Sequence, residues 1–306
     1  MALCHFLAHH FEQAGLSKIH AVTVDHGLRP GSDKEAENVK KQLESLPHVQ
    51  PAVLRITADF AGTRIQEQAR DERYKLMSAY CSENVIQILL TAHHMDDQAE
   101  TLLFRLAKGS GLDGLGAMAS AKNLGEDGLL LLRPFLDIPK DDLITYCHHN
   151  NIDYVKDPTN QNENFARPRL RAAKEVLEGE GLTAKRLAVT ARRVSRARDA
   201  LDKIAGEALR DIMLEGTKDR FVLKYAQLAD YPQEIRLRVL LSVMGALVPN
   251  SPYRPRLEKV ENLEEKLFAA RDFRTQTLGK CIFLLDKQKG EEGAKLTITR
   301  EKARNI

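Results

Sequence analysis

The 306 residues include no tryptophan, only four cysteines, and aromatic residues at just 6%. The cysteines stand far apart (Cys4, Cys81, Cys147 and Cys281), and none belongs to a CxxC pair. That spacing argues against a zinc ribbon, an iron–sulfur cluster and a disulfide framework, and it predicts a reducing, cytoplasmic setting. No apolar run approaches the roughly 20 residues that span a bilayer. No basic residue precedes Lys18, which makes a poor signal or transit peptide. The expectation is a soluble protein without a membrane partner. A net charge of only +3, with 29% charged residues, excludes a polyelectrolyte throughout. The hydrophobic share of 43% is enough for a well-buried core, and the length predicts two domains.

The first half alternates strand and helix patterns. IHAVTVDH (19–26), PAVLRIT (51–57), VIQILLTAHH (85–94) and LLLLRP (129–134) read as strands, the third nearly all apolar as in the middle of a parallel sheet. SDKEAENVKKQLESL and IQEQARDERYKLMSAYCSEN read as helices between them, and MDDQAETLLFRLAKG as the helix after the third strand. Ser32 and Glu35 fit a capping box. Repeated β–α units predict an α/β doubly wound parallel sheet over residues 1–178. Such sheets bind ligands at the carboxyl ends of their strands, where Asp25-His26 and the run His93 to Glu100 fall. From residue 179 to 306 the pattern is mainly helical, with FVLK (221–224) and TLGKCIFLL (277–285) as short strand candidates.

Two charged features stand out. Residues 165–198 hold ten Lys or Arg against three Glu, a local +7 in a chain of +3, so the remainder carries −4. A polyanionic partner meeting one face explains this stripe, and so does a solvated helix face. The second feature is HHMDDQAET, His93 to Thr101, with two histidines and three carboxylates. A helix starting near Met95 puts His93, Asp97 and Glu100 at i, i+4 and i+7 on one face. Acidic residues in a first turn also complement the helix dipole without any ligand. A metal site would need further ligands. Asp25-His26 lacks the second histidine of a phosphoesterase motif, and His148-His149 lie on a polar helix end. No metal-binding residue is assigned, and a metal-dependent phosphohydrolase is the weakest reading.

VDHGLRPGS, IQEQARDERY, TAHHMDDQAETLLFRLAKGSGLDGLGAM, LLRPFLDIPKDDL and VKDPTNQNENFARPRLR, in this order, resemble the tRNA(Ile)-lysidine synthases of the PP-loop ATP pyrophosphatase superfamily. The resemblance is close over residues 1 to about 171 and fainter through RPRLEKVENLEEKL and RTQTLGKCIF. It implies an adenine nucleotide alpha hydrolase-like fold and a two-step reaction in the cytoplasm. ATP, with Mg2+ on its triphosphate, adenylates C2 of the cytidine at the first anticodon position of tRNA(Ile) with a CAU anticodon. Free L-lysine then attacks C2 and expels AMP. Lysine needs carboxylates for its ammonium and an acceptor for its proton. Asp97 and Glu100 are the expected catalytic pair, with His93 positioning the nucleotide or moving a proton. The resemblance implies ATP contacts from Asp25, His26, Arg70 and Arg73. Gly109, Gly111, Gly114 and Gly116 would shape a loop near the nucleotide or the flipped cytidine. Arg167, Arg169 and Arg171 would face substrate and tRNA. The helices after residue 181, with Arg192 and Arg193, would cradle the anticodon stem through its phosphates. The family further implies a monomer or a homodimer.

The sequence departs from the family in two places. Family members open with a strand and an SGGxDS loop that cradles pyrophosphate, and no such segment occurs in these 306 residues. Leu3, Phe6, Leu7, Phe11 and Ala14 have the spacing of the helix that follows that loop. The preferred expectation is a start lying further upstream, because the other motifs are intact. The alternative is a non-catalytic tRNA-binding remnant. The second departure is Pro168, in place of the family's asparagine, which is expected to hold Arg167 in an extended backbone. PP-loop thiolases of similar architecture carry CxxC pairs that this chain lacks, and a glutamine-dependent amidotransferase subunit is a further sister reading.

Overall fold

A computed structural model describes residues 1–11, 18–27, 31–58, 65–124, 128–154, 166–249, 255–269, 273–287 and 293–301. The chain forms two compact units, Met1–Ala107 with Ala117–Ala191, and Lys108–Gly116 with Arg192–Ile306. Helix α1 (Ala2–His10), strand β1 (Ile19–Asp25), helix α2 (Ser32–Glu44), strand β2 (Val49–Arg55), helix α3 (Ile65–Glu83), strand β3 (Ile88–Leu90) and helix α4 (Met95–Ala107) follow in order. The short helix α5 (Leu112–Leu115) lies in the glycine-rich loop. Next come strands β4 (Ala121–Leu124) and β5 (Leu129–Leu132), then helices α6 (Lys140–His149), α7 (Ala166–Ala172), α8 (Lys174–Gly179) and α9 (Ala184–Ile212). The rest comprises β6 (Met213–Gly216), β7 (Arg220–Lys224), α10 (Tyr225–Ala229), α11 (Gln233–Leu247), α12 (Leu257–Ala269), β8 (Gln276–Leu278), β9 (Cys281–Asp286) and β10 (Lys295–Arg300).

The N-terminal unit is α/β. β1 and β2 run parallel in register from Ile19 opposite Val49 to Asp25 opposite Arg55. β3 and β5 are also parallel, with Ile88 opposite Leu130. β4 joins β5 antiparallel, so β5 lies central in the order β3-β5-β4. Among the described residues β1 pairs only with β2. β3 is shorter than the apolar run predicts, and Ile88 is half exposed while Val85 is almost fully exposed. β5 alternates as a strand covered mainly on one face should, with Leu129 and Leu131 buried. α2 turns Ala36 and Leu43 inward.

Two local expectations are corrected. The N-cap of α2 is Gly31 in the left-handed region, with no side-chain cap bond, so the Ser32–Glu35 capping box does not form. The Ser32 hydroxyl instead donates to Asp25 Oδ1 at 2.6 Å. Pro168 is helical within α7, and so is Arg167 before it. Pro168 is the third residue of α7, in the first turn, where no N–H has an intrahelical acceptor, so proline breaks no helix bond there.

The C-terminal unit is less purely helical than its pattern reads. β7, β8 and β9 match or overlap the predicted short strands, and β6 and β10 complete an antiparallel sheet in the order β6-β7-β10-β9-β8. β10 lies between β7 and β9, with Leu296 opposite both Leu223 and Leu285. The sheet packs on α11 and α12 through one continuous core that includes Leu223, Leu240, Val243, Leu267, Phe283 and Ile298. Each such side chain contributes about 1.5–3 kcal/mol on burial. Among the described residues, no helix is long and apolar enough to cross a membrane.

Candidate active site

α4 starts immediately after the turn that leaves β3, so its first turn sits at the carboxyl end of a parallel strand. Asp97 Oδ2 accepts the His94 N–H at 3.0 Å, the back-bond of a carboxylate to the residue before the helix. His94 Nε2 lies 3.4 Å from the same oxygen. The His94 Nδ1 is buried without a hydrogen-bond partner among the described residues. His93 Nδ1 pairs with the Thr91 hydroxyl at 2.9 Å.

Asp96, which the sequence reading did not single out, is tied to two other helices. Its Oδ2 accepts the Lys140 backbone N–H at 3.0 Å, and its Oδ1 accepts Lys174 Nζ at 3.3 Å. Burial opposes its ionisation, yet these two partners hold its carboxyl below the ordinary aspartate range. Glu100, one turn further on, takes a bidentate pair from Arg171, Nε to Oε1 at 2.5 Å and Nη2 to Oε2 at 3.0 Å. The Glu100 bond, with the nearby charges of Glu100, Asp97 and Asp96, raises the Arg171 pKa. A pocket opens beside these pairs. Its charged lining is Asp96, Glu100 and Glu178 against Arg171 and Lys174, and Leu103, Leu170, Leu177, Leu182 and Leu187 supply its apolar wall. Carboxylates, cations and an aliphatic wall together suit a zwitterion with an alkyl stem and a second ammonium.

The remaining predicted residues are distributed more widely. Asp25 is buried at the end of β1, and its Oδ1 accepts both the Ser32 hydroxyl and the Gly27 N–H, at 2.6 and 3.0 Å. The Ser32 bond, against the opposing effect of burial and aided by Gly27, lowers its pKa. Asp25 thus shapes the turn that carries half-buried His26. Arg70 and Arg73 lie one turn apart and exposed on α3, with Arg70 over the Tyr74 ring at 5.3 Å. Donors so spaced fit a phosphate.

Arg169 is exposed on α7, while the Arg167 side chain lies outside the described residues. Arg192 and Arg193 are exposed on α9. Gly109 has φ +65°, a conformation that favours glycine. A Cβ on Gly111 would lie 2.5 Å from Leu257. Both glycines belong to the C-terminal unit. The sequence reading also missed Lys174 and Gln98. The Gln98 amide holds both backbone groups of Met118, at 2.7 and 2.8 Å. Their signal was only position: Asp96 and Gln98 lie inside the acidic motif, and Lys174 lies three residues beyond Arg171.

Comparison with known proteins matches residues 1–177 to the PP-loop domain family. A tRNA(Ile)-lysidine synthase of Methylobacterium nodulans (strain LMG 21967 / CNCM I-2342 / ORS 2060) is 41% identical over 251 residues, 81% of this chain and 73% of that protein. One from Methylobacterium sp. (strain 4-46) is 43% identical over 250 residues, 80% of this chain and 70% of the relative. The likeness to one from Ruegeria pomeroyi (strain ATCC 700808 / DSM 15171 / DSS-3), 37% over 286 residues, covers 93% of this chain and 66% of the relative, and so extends through the C-terminal unit. Among solved structures, the U34-tRNA thiolase NcsA from Methanococcus maripaludis with its [4Fe-4S] cluster shares the fold, with a TM-score of 0.53 at 17% identity over 64% of this chain and 66% of that one.

Proposed function

This chain belongs to the tRNA(Ile)-lysidine synthase family of PP-loop proteins, and from that premise we propose that it joins free L-lysine to C2 of the first anticodon cytidine of tRNA(Ile) with a CAU anticodon. The reaction consumes ATP through an adenylated tRNA. The observation that carries the lysine half is the pocket where Asp96 and Glu100 meet Arg171 and Lys174 beside a leucine-rich wall.

A carboxylate offers about four acceptor positions. Arg171 takes two of those on Glu100 and fixes its plane, leaving two for a lysine ammonium. Arg171 and Lys174 offer the α-carboxylate of lysine a counter-charge. The leucines cover the methylene stem and exclude water. Before its nitrogen attacks C2, the ammonium must give up a proton. Asp97 is the acceptor we assign, because its back-bond to His94 engages only Oδ2. His93 positions the nucleotide from the turn before α4.

ATP supplies the adenylyl group, with Mg2+ on its phosphates. Arg70 and Arg73 are assigned to the α-phosphate, where charge develops, and Asp25 acts by holding the turn that carries His26. The exposed arginines of α9, Arg192 and Arg193 among them, are assigned to tRNA phosphates. We place the protein in the cytoplasm, where tRNA, ATP and free lysine coexist.

The test uses the full chain with tRNA(Ile), ATP and labelled lysine. Glu100→Gln should lower kcat/KM for lysine by about 100-fold, the scale of one lost charge-assisted contact, and leave tRNA-dependent pyrophosphate release within about twofold. Unchanged lysine transfer in that variant would sink the assignment. tRNA binding by the unaltered chain without any pyrophosphate release would instead mark a tRNA-binding protein that does not use ATP.

A further inference from the structure

The chain leaves α4 at Ala107, runs through Lys108–Gly116, and rejoins the N-terminal unit at Ala117, where Gln98 of α4 grips Met118. The intervening loop packs with the C-terminal unit. Four glycines in eight residues make such a segment conformationally loose unless something ties it. Three contacts among the described residues help to do so. Gly111 lies so close to Leu257 on α12 that even a methyl group would collide. Gly116 lies against Ser195 and Arg198 of α9. The third contact is ionic and runs through Arg238 of α11, a guanidinium with only 6% of its side chain exposed.

Arg238 reaches three elements. Its Nε donates to Glu234 on its own helix at 2.8 Å, its Nη1 donates to Asp202 of α9, and its Nη2 lies 3.1 Å from Asp113 of α5 in the loop. A single buried cation therefore joins the basic helix, the core helix and the glycine loop. We propose that Arg238 is a positioning residue that anchors the Lys108–Gly116 loop to α9, so that a polyanion docking on the exposed arginines of α9 also sets the position of the loop. The anchoring stands on the contacts alone, and the coupling rests on the tRNA reading above. In this arrangement the loop senses whether tRNA is in place.

Hydrogen–deuterium exchange of the full chain, with and without tRNA(Ile), tests both parts. Asp113→Asn removes only the loop's arm of the network, at a residue whose side chain is 66% exposed, so the fold should survive. Peptides covering 108–116 should exchange about three- to fivefold faster in this variant, the scale of one exposed ion pair, with α9 and α11 unchanged. In the unaltered chain tRNA should slow the loop's exchange, and in Asp113→Asn that response should shrink by at least half. Asp202→Asn serves as the second variant and should loosen α9 while leaving the loop bonded to Arg238. Equal exchange of the loop in Asp113→Asn and the unaltered chain would overturn the anchoring, as would an equal rise throughout α9 and α11. Binding of tRNA with no change in the loop would overturn the coupling alone. If tRNA does not bind at all, the functional reading fails together with the coupling, while exchange in the free protein still decides the anchoring.

Discussion

In the N-terminal unit the Asp96 and Glu100 side chains are 18% and 13% exposed, while their partners Lys174 and Arg171 keep 48% and 33%. Around Arg238 in the C-terminal unit the order is reversed, with the cation 6% exposed and Asp113, Asp202 and Glu234 at 66%, 55% and 43%. Both clusters combine side chains from at least three helices. They differ in which sign is withdrawn from water. Withdrawn carboxylates with only part of their acceptor capacity engaged leave room for another cation. A withdrawn guanidinium ringed by three carboxylates has its donors engaged and is suited to holding elements together. The first cluster is therefore the better ligand site, and the second the better fastening.

Glu264 in the C-terminal unit sharpens this comparison, because a carboxylate withdrawn as far from water as Arg238 acts as a fastening too. Its side chain is 2% exposed and takes bonds from Arg236 at 2.6 Å and Gln233 at 3.0 Å. Glu264→Ala leaves Arg236 short of its counter-charge inside a packed unit and should cost about 3–5 kcal/mol in urea unfolding. Glu100→Gln keeps the size of the side chain and one acceptor beside the more open Arg171, and should cost about 1–2 kcal/mol in the same measurement. If the two losses are equal, the distinction between ligand site and fastening is lost.

Ser32→Ala comes next in size. It removes the hydroxyl that does most to hold the Asp25 carboxyl below its ordinary range, against the effect of burial and beside the Gly27 N–H. A depressed folded pKa gives stability above the unfolded value of about 3.9, lost as pH falls through the folded one. The variant should be less stable by about 1.5 kcal/mol near pH 7, and the gap should close below about pH 4. A gap that stays constant from pH 7 to pH 3 would show that Ser32 acts through packing and not through the carboxylate.

Lys174→Met should have the smallest effect. Its ion pair with Asp96 is half exposed, so stability should change by less than about 1 kcal/mol. Removing its ammonium takes away one counter-charge proposed for the substrate carboxylate, and the KM for lysine should rise about threefold at low salt, with the difference fading as salt screens it. A fall in KM would instead show that Lys174 competes with the substrate ammonium for Asp96.

Much of the N-terminal unit was legible from local pattern. Period-two and near-continuous apolar runs marked β1, β2 and β5, and the position of the acidic motif after an apolar strand placed the start of α4 at Met95. β10 was missed because KLTITR is short, charged at both ends and half polar, and becomes a strand only by lying between β7 and β9. Pro168 was misread because the restriction on the residue before proline is a statistical preference, and the first turn of a helix makes the least demand on N–H groups. Within the site, spacing in the acidic motif pointed to Glu100 and the family resemblance to Arg171, but nothing local joined them.

By itself the amino-acid order determined the alternation of strands and helices, the acidic turn after β3, the basic run around α7 to α9, and the family. The first three are short-range properties, set by periodicity, propensity and charge within a few residues, and the family follows from the resemblance of longer motifs in their order. The tertiary structure alone decided that Arg171 closes on Glu100 across 71 positions, and that the glycine loop packs with a unit beginning 76 residues beyond its end, at Arg192. It likewise decided that Arg238 is buried among three carboxylates. Those pairings depend on which helix faces come together and on how much water is left between them, and no pattern confined to one segment carries that information.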